Sequence, residues 1–218
     1  DGLCRGRARR TGPLSSAGGW EGYGPAYRLP NASAYAETCA AIALVMLAWR
    51  MLALDGAARY ADVMETALYN GVLAGLSLDG AAYFYVNPLA DDGGQRRQPW
   101  YDCACCPPNI ARTLAALPGY FYSTSAEGVY VHLYAANIAR LSLADGRAIG
   151  LAQRTRYPWD GRVEIEVDGE GEFGLFLRMP AWGEADAALA IHGQAHAGHA
   201  TRGSYAPARR HGRRGHVV

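Results

Sequence analysis

Residues 36–54 are apolar at nearly every position, through Ile42, Leu44, Val45, Met46, Leu47, Trp49, Met51 and Leu52. That pattern predicts a helix apolar almost all round, one that belongs inside a bundle or helical barrel. Asn31 or Ser33 is expected to cap it, and Asp55-Gly56 to stop it. A second helix is expected over 58–76, carried by Val63, Leu68, Val72 and Leu73. Residues 83–86 read as a short extended piece closed by Asn87-Pro88, and 91–98 as a polar loop. Asn109 is expected to cap a short helix over 110–117, ended by Pro118-Gly119.

Past residue 122 the period changes to two. Val129-Tyr130-Val131-His132-Leu133-Tyr134, Val163-Glu164-Ile165-Glu166-Val167 and Leu175-Phe176-Leu177-Arg178-Met179 all alternate, and Asp145-Gly146 signals a hairpin between apolar runs. Helices followed by antiparallel strands predict an α+β chain of more than one domain, with helices over 1–122 and β structure over 123–192. Residues 193–218 hold five Arg and four His and no acid among Gly, Ala and Ser, and read as a disordered tail or as sequence foreign to the fold.

With 218 residues, half of them hydrophobic and 19% charged, the chain can bury an ordinary core. A net charge of +1 removes any global case for nucleic acid or an anionic membrane as partner. The apolar run 39–49 is interrupted by Arg50 and too short to span a bilayer, and no apolar stretch follows the charged first ten residues, so no signal peptide is expected.

Five cysteines, Cys4, Cys39, Cys103, Cys105 and Cys106, are an odd number, and adjacent cysteines seldom pair, so a disulfide framework fits poorly. Reduced thiols favour a cytoplasmic setting. A metal site suits the Cys103–Cys106 cluster better, because Zn²⁺ takes four ligands from Cys, His and carboxylate. Glu37-Thr38-Cys39 offers a carboxylate and a thiol, and the proposed set is Glu37, Cys39, Cys105 and Cys106. Positions i and i+2 of a regular helix diverge by about 200°, so Glu37 and Cys39 can share an ion only at an irregular helix start. The bland alternative makes Cys39 a small core residue of an apolar helix.

Glu21, between Trp20 and Gly22-Tyr23, has the semi-dry surroundings that raise a carboxyl pKa toward general-acid use, although a solvated loop glutamate is the commoner case. Glu65 lies mid-helix, where a solvent-facing charge is the plain reading. Tyr83, Tyr85, Trp100 and Tyr101 suit stacking on sugar faces, though such aromatics are more often core. His192, His196 and His199 are spaced loosely like ligands but fall in the tail, and no phosphate-binding glycine loop is present.

Several motifs occur in a fixed order: Glu37-Thr38-Cys39-Ala40-Ala41, Ala67-Leu68-Tyr69-Asn70-Gly71, Tyr85-Val86-Asn87-Pro88-Leu89 and Cys105-Cys106-Pro107-Pro108-Asn109. Gln153-Arg154-Thr155-Arg156-Tyr157-Pro158-Trp159 and Leu177-Arg178-Met179-Pro180-Ala181-Trp182 follow. Over about residues 20–191 the series resembles the β-L-arabinofuranosidases of glycoside hydrolase family 127. The resemblance implies an (α/α)6 barrel followed by an antiparallel β-sandwich, of which this chain would hold the C-terminal part of the barrel and part of the sandwich. It implies Zn²⁺ on Glu37, Cys39, Cys105 and Cys106, with Cys105 as nucleophile and Glu21 as acid/base of a retaining hydrolase. Glu65 and Tyr85 match positions of the sugar pocket, and the implied partner is a carbohydrate such as an L-arabinofuranoside. A full barrel needs about twelve helices against three here, so this polypeptide alone is expected to be poorly folded or inactive. Two other readings stand beside it: a non-catalytic carbohydrate-binding or structural zinc module, and a thiol redox protein using Cys103, Cys105 and Cys106.

Overall fold

The computed structural model describes residues 25, 27, 28, 30–183, 187–191, 193–195, 201–212 and 216–217. The chain is α+β, and its described residues form two units, one running to Gly56 and over Tyr60–Pro118, the other taking Ala57–Arg59 and the residues from Gly119 onward.

In the first unit, α1 spans Thr38–Asp55. Neither Asn31 nor Ser33 caps it. Glu37 is the N-cap residue, extended at φ −66° and ψ 138°, and makes no side-chain cap. At the far end Gly56 takes φ 68° and its N–H closes on the Leu52 carbonyl at 2.8 Å, a left-handed cap that glycine adopts without strain. Burial is one-sided rather than all round: Ala41, Ile42, Leu44, Val45, Ala48 and Leu52 are buried, while Leu47 and Leu54 are 49% and 80% exposed. By length and composition α1 could cross a membrane, but this buried face is that of a core helix.

The second helix starts where expected but changes winding. α2, Ala58–Ala67, passes into a π-helical turn, Leu68–Val72, and then a 3-10 turn, Leu73–Gly75. The Asn70 amide donates to the Thr66 carbonyl at 3.0 Å, competing with the regular backbone ladder just before Gly71. A Cβ on Gly75 would stand 2.9 Å from Thr38 Cγ2, so only glycine lets this turn pack on the start of α1.

Residues 84–87 then pair with 36–38. The Thr38 N–H donates to the Tyr85 carbonyl at 3.0 Å, the Thr38 hydroxyl to the Phe84 carbonyl at 2.8 Å, and the Asn87 N–H to the Ala36 carbonyl at 3.0 Å. α3 runs Cys106–Ala116 with Cys105 as N-cap, so it begins before Asn109 and Asn109 is not its cap. Pro107 and Pro108 explain the early start: a first helical turn has no use for the N–H groups they lack.

The second unit holds two four-stranded sheets. One joins β1 (Tyr122–Ser125), β2 (Gly128–Val131), β6 (Gly171–Met179) and β9 (Ser204–Gly212), in that order. The other has the order β10 (His216–Val217), β5 (Val163–Asp168), β4 (Ala148–Thr155) and β3 (Asn137–Ser142). A small hairpin joins β7, Ala190–Ile191, to β8, Gln194–Ala195. The expectation of a wholly antiparallel β region needs correction, because β2 and β6 pair in parallel, Val129 beside Leu175 and Val131 beside Leu177. Gly128, at φ 142°, makes that pairing possible, since a Cβ there would lie 1.9 Å from the Gly174 carbonyl oxygen.

Residues 193–218, expected to lie outside the fold, supply β9 and β10. Ala206 and Ala208 are buried on β9 and pair with Leu177 and Leu175. The composition of the stretch concealed a short run of small residues that fits against a crowded central strand. One core collects Val129, Val131, Leu175, Leu177 and Ala208 from the first sheet with Ile149, Leu151, Ile165 and Val167 from the second. Arg178 and His132 are buried in this unit as well. The Arg178 Nε donates to the His132 carbonyl at 2.6 Å, and the His132 ring bonds Tyr205 Oη at 2.5 Å and Ser123 Oγ at 2.8 Å.

Candidate metal centre

Two helix starts meet at one point of the first unit. Glu37 precedes α1 and Cys39 sits in its first turn, while Cys105 precedes α3 and Cys106 opens it. One ligand atom from each of Glu37, Cys39, Cys105 and Cys106 lies within 4.8 Å of the other three. The extended backbone of Glu37 resolves the i, i+2 problem: its side chain leaves from outside the helix and returns to the same side as Cys39. Pairing of 84–87 with 36–38 fixes that extended conformation, and so the Thr38 hydrogen bonds act directly on the site.

The contacts within the cluster are close. Cys39 Sγ is 3.3 Å from Cys105 Sγ, and the Cys105 and Cys106 sulfurs are 3.5 and 3.7 Å from Glu37 Oε1. Cys106 is fully buried, and its sulfur lies 3.9 Å from the Tyr85 carbonyl oxygen. The Asn109 amide donates to Cys39 Sγ at 3.1 Å. Tyr85 is half-buried against Tyr101 and Tyr35, edge-on at 5.5 and 6.3 Å, and Tyr101 Oη accepts the Tyr85 N–H while donating to the Tyr83 carbonyl.

Without a metal, Cys39 is the most readily ionised of the three thiols. A hydrogen bond from Cys106 lowers the Cys39 pKa to about 6; burial opposes this, and hydrogen bonds from Asn109 and Cys105 assist it. Burial raises Cys105 to about 11, with a Tyr85 hydrogen bond acting the other way. Cys106 is pushed up as well, first because it donates to Cys39 and then by burial. A divalent ion would substitute for the shared protons, and its binding would release them. Three sulfurs and one carboxylate able to converge on one point are a donor set of the tetrahedral kind, and the positive ends of two helices favour its negative charge.

Among the other expected residues, Tyr85 borders the cluster, whereas Glu65 is not one of the four donors. Glu65 is only 2% exposed, so the plain reading of a solvent-facing charge does not hold. Glu21 lies outside the described residues, as do His192, His196 and His199. Cys103 is exposed and takes no part in the four-donor group. Asn109 was missed as a site residue. Its signal was the Pro-Pro pair before it, which marks a helix already begun and an amide released from capping.

Comparison with known proteins gives the chain's relatives. The model of the β-L-arabinofuranosidase GH127 catalytic domain matches residues 6–119, and that of the GH127 middle domain residues 128–218. The non-reducing end β-L-arabinofuranosidase of Bifidobacterium longum subsp. longum is 38% identical over 204 residues, covering 84% of this chain and 30% of that protein. The crystal structure of Ara127N-Se, a GH127 β-L-arabinofuranosidase from Geobacillus stearothermophilus T6, is 40% identical with a TM-score of 0.89, covering 99% of this chain and 36% of that one. A solved GH127 β-arabinofuranosidase is 36% identical, again with a TM-score of 0.89 and the same coverage. The chain thus spans about a third of the length of these relatives.

Proposed function

The chain belongs to the GH127 β-L-arabinofuranosidase family, and from that premise we propose that it carries the metal-thiolate half of a retaining glycoside hydrolase active site acting on an L-arabinofuranoside or related sugar. In this reading the helical unit is the C-terminal part of an (α/α)6 barrel and the two sheets are part of a β-sandwich. The observation that carries the proposal is the meeting of Glu37, Cys39, Cys105 and Cys106 within 4.8 Å, from stretches far apart in the chain.

Zn²⁺ is the ion that best suits three sulfurs and one carboxylate, and when bound it keeps the thiols ionised near neutral pH. Cys105 is the nucleophile: its sulfur attacks the anomeric carbon while Glu21 gives its proton to the departing oxygen. Glu21 then takes a proton from water as the water adds to the same carbon and the Cys105 sulfur leaves, so two inversions retain configuration. Cys105 suits the role because it precedes α3, is only half-buried and accepts a hydrogen bond from Tyr85, whereas Cys106 is closed off. Tyr85 and Glu65 are assigned to the sugar pocket.

The test is metal analysis together with covalent labelling by an arabinofuranose analogue bearing an electrophile at the anomeric carbon. About one zinc per chain and a label on Cys105, absent from Cys105→Ser, are expected. Zinc without label in the unaltered chain would reduce the site to a structural staple, and absence of both would remove the proposal.

A further inference from the structure

We propose that Asn109 is a positioning residue of the four-donor site: turned by Arg112, its amide donates to the Cys39 sulfur and marks Cys39 as the sulfur that stays a ligand. The inference rests on the metal-thiolate reading above and adds a division of labour among the sulfurs.

Asn109 Nδ2 is 3.1 Å from Cys39 Sγ, and Asn109 Oδ1 accepts from Arg112 Nη2 at 2.5 Å. A guanidinium can only donate, so Arg112 selects the oxygen and the NH₂ group must face the sulfur. The residue that bears this amide is itself fixed. Its N–H donates to the Cys105 carbonyl at 3.1 Å and its carbonyl accepts the Thr113 hydroxyl at 2.8 Å. One turn of α3 therefore sets the placement of Cys105 and aims a donor at Cys39.

A donor held on a thiolate draws charge from the sulfur, weakening it as a nucleophile while fixing the direction of its lone pairs. Cys105 is met differently, by a hydrogen bond from Tyr85 and by Cys39 Sγ at 3.3 Å and Glu37 Oε1 at 3.5 Å, rather than by an amide clamped from its far side. Cys106 is fully buried. The sulfur with the rigid donor and the sulfur proposed to attack are thus different residues.

Cobalt(II) substitution tests this apart from activity, because sulfur-to-cobalt charge-transfer absorption reports charge on the ligating sulfurs. Asn109→Leu removes the donor without adding charge, and Arg112→Ala, at an exposed position, removes only the clamp. Both variants are expected to move the charge-transfer band to longer wavelength and to weaken cobalt binding, Asn109→Leu by about 10–100-fold and Arg112→Ala by less. Spectra and affinities equal to the unaltered chain in both variants would overturn the inference and leave the metal site standing, as would weaker binding with an unshifted band. An unaltered chain that binds no cobalt would overturn the metal-thiolate reading and this inference with it.

Discussion

Cys39 Sγ and Cys105 Sγ stand 3.3 Å apart although they belong to different helix starts. A disulfide needs about 2.05 Å, so the two sulfurs must close by little more than an ångström. Removing metal with a chelator and adding hydrogen peroxide is expected to join them, the two thiol hydrogens leaving with the peroxide oxygens as two waters. Mass spectrometry would record a loss of two hydrogens on a Cys39–Cys105 peptide pair. The metal-loaded chain is expected to resist the same treatment, and equal oxidation of both forms would count against a metal held by these sulfurs.

Gly75→Ala is expected to destabilise the helical unit by about 1–3 kcal/mol, the usual cost of overpacking. The new methyl would meet Thr38 Cγ2 at 2.9 Å and Thr38 Oγ1 at 3.0 Å. Because Thr38 lies between Glu37 and Cys39, the affinity of the four-donor group for a divalent ion should fall along with the urea midpoint. Unchanged affinity with a lowered midpoint would separate that packing from the site.

Thr38→Val keeps the shape of the side chain and leaves the Phe84 carbonyl without its hydroxyl donor. A loss of about 1–3 kcal/mol is expected from the unsatisfied acceptor, read by chemical denaturation. A neutral result would mean that water replaces the hydroxyl.

His132 has its pKa lowered to about 3, first by burial and then by the charge of Arg178. An unfolded histidine titrates near pH 6.5, so between about pH 6.5 and pH 3 the unfolded chain binds the extra proton. The neutral ring therefore contributes its full stabilisation above pH 6.5, and this is lost as pH falls toward 3, by up to about 1.4 kcal/mol per pH unit. His132→Gln should flatten that slope in denaturation midpoints measured from pH 7 to pH 4; an unaltered slope would assign the acid sensitivity to other groups.

Gly128→Ala is expected to be the most damaging of these changes. The residue sits at φ 142°, and its methyl would fall 1.9 Å from the Gly174 carbonyl oxygen, which no rotamer change relieves. Loss of the cooperative transition of the β unit, seen by near-ultraviolet circular dichroism, is the expected outcome.

The legible parts of the fold were those written in period and composition. The apolar run of α1, the stop at Gly56, the hairpin at Asp145-Gly146 and the alternation of Val163–Val167 each predict the element found. The four-donor group was also legible, because a crowd of thiols that fits no disulfide framework calls for further ligands, which Glu37 and Cys39 offer. Contacts between distant segments were not. Nothing local distinguishes a parallel from an antiparallel neighbour for Val129, and Ala206 and Ala208 are core residues only because Leu177 and Leu175 stand beside them. Asn109 was read by its commonest role, and its use depended on where α3 begins.

The central strand of the first sheet, β6, has β2 on one side and β9 on the other, both distant in the chain. Neither edge can be completed by a tight turn, so two long loops must close before that sheet holds together, and each closure costs chain entropy before any burial is gained. During synthesis β2 can pair at once with β1, but its second neighbour, β6, emerges much later. Val129 and Val131, buried in the finished sheet, lack the cover of β6 until then, so slow assembly and exposure to aggregation are the expected kinetic consequence of a parallel neighbour.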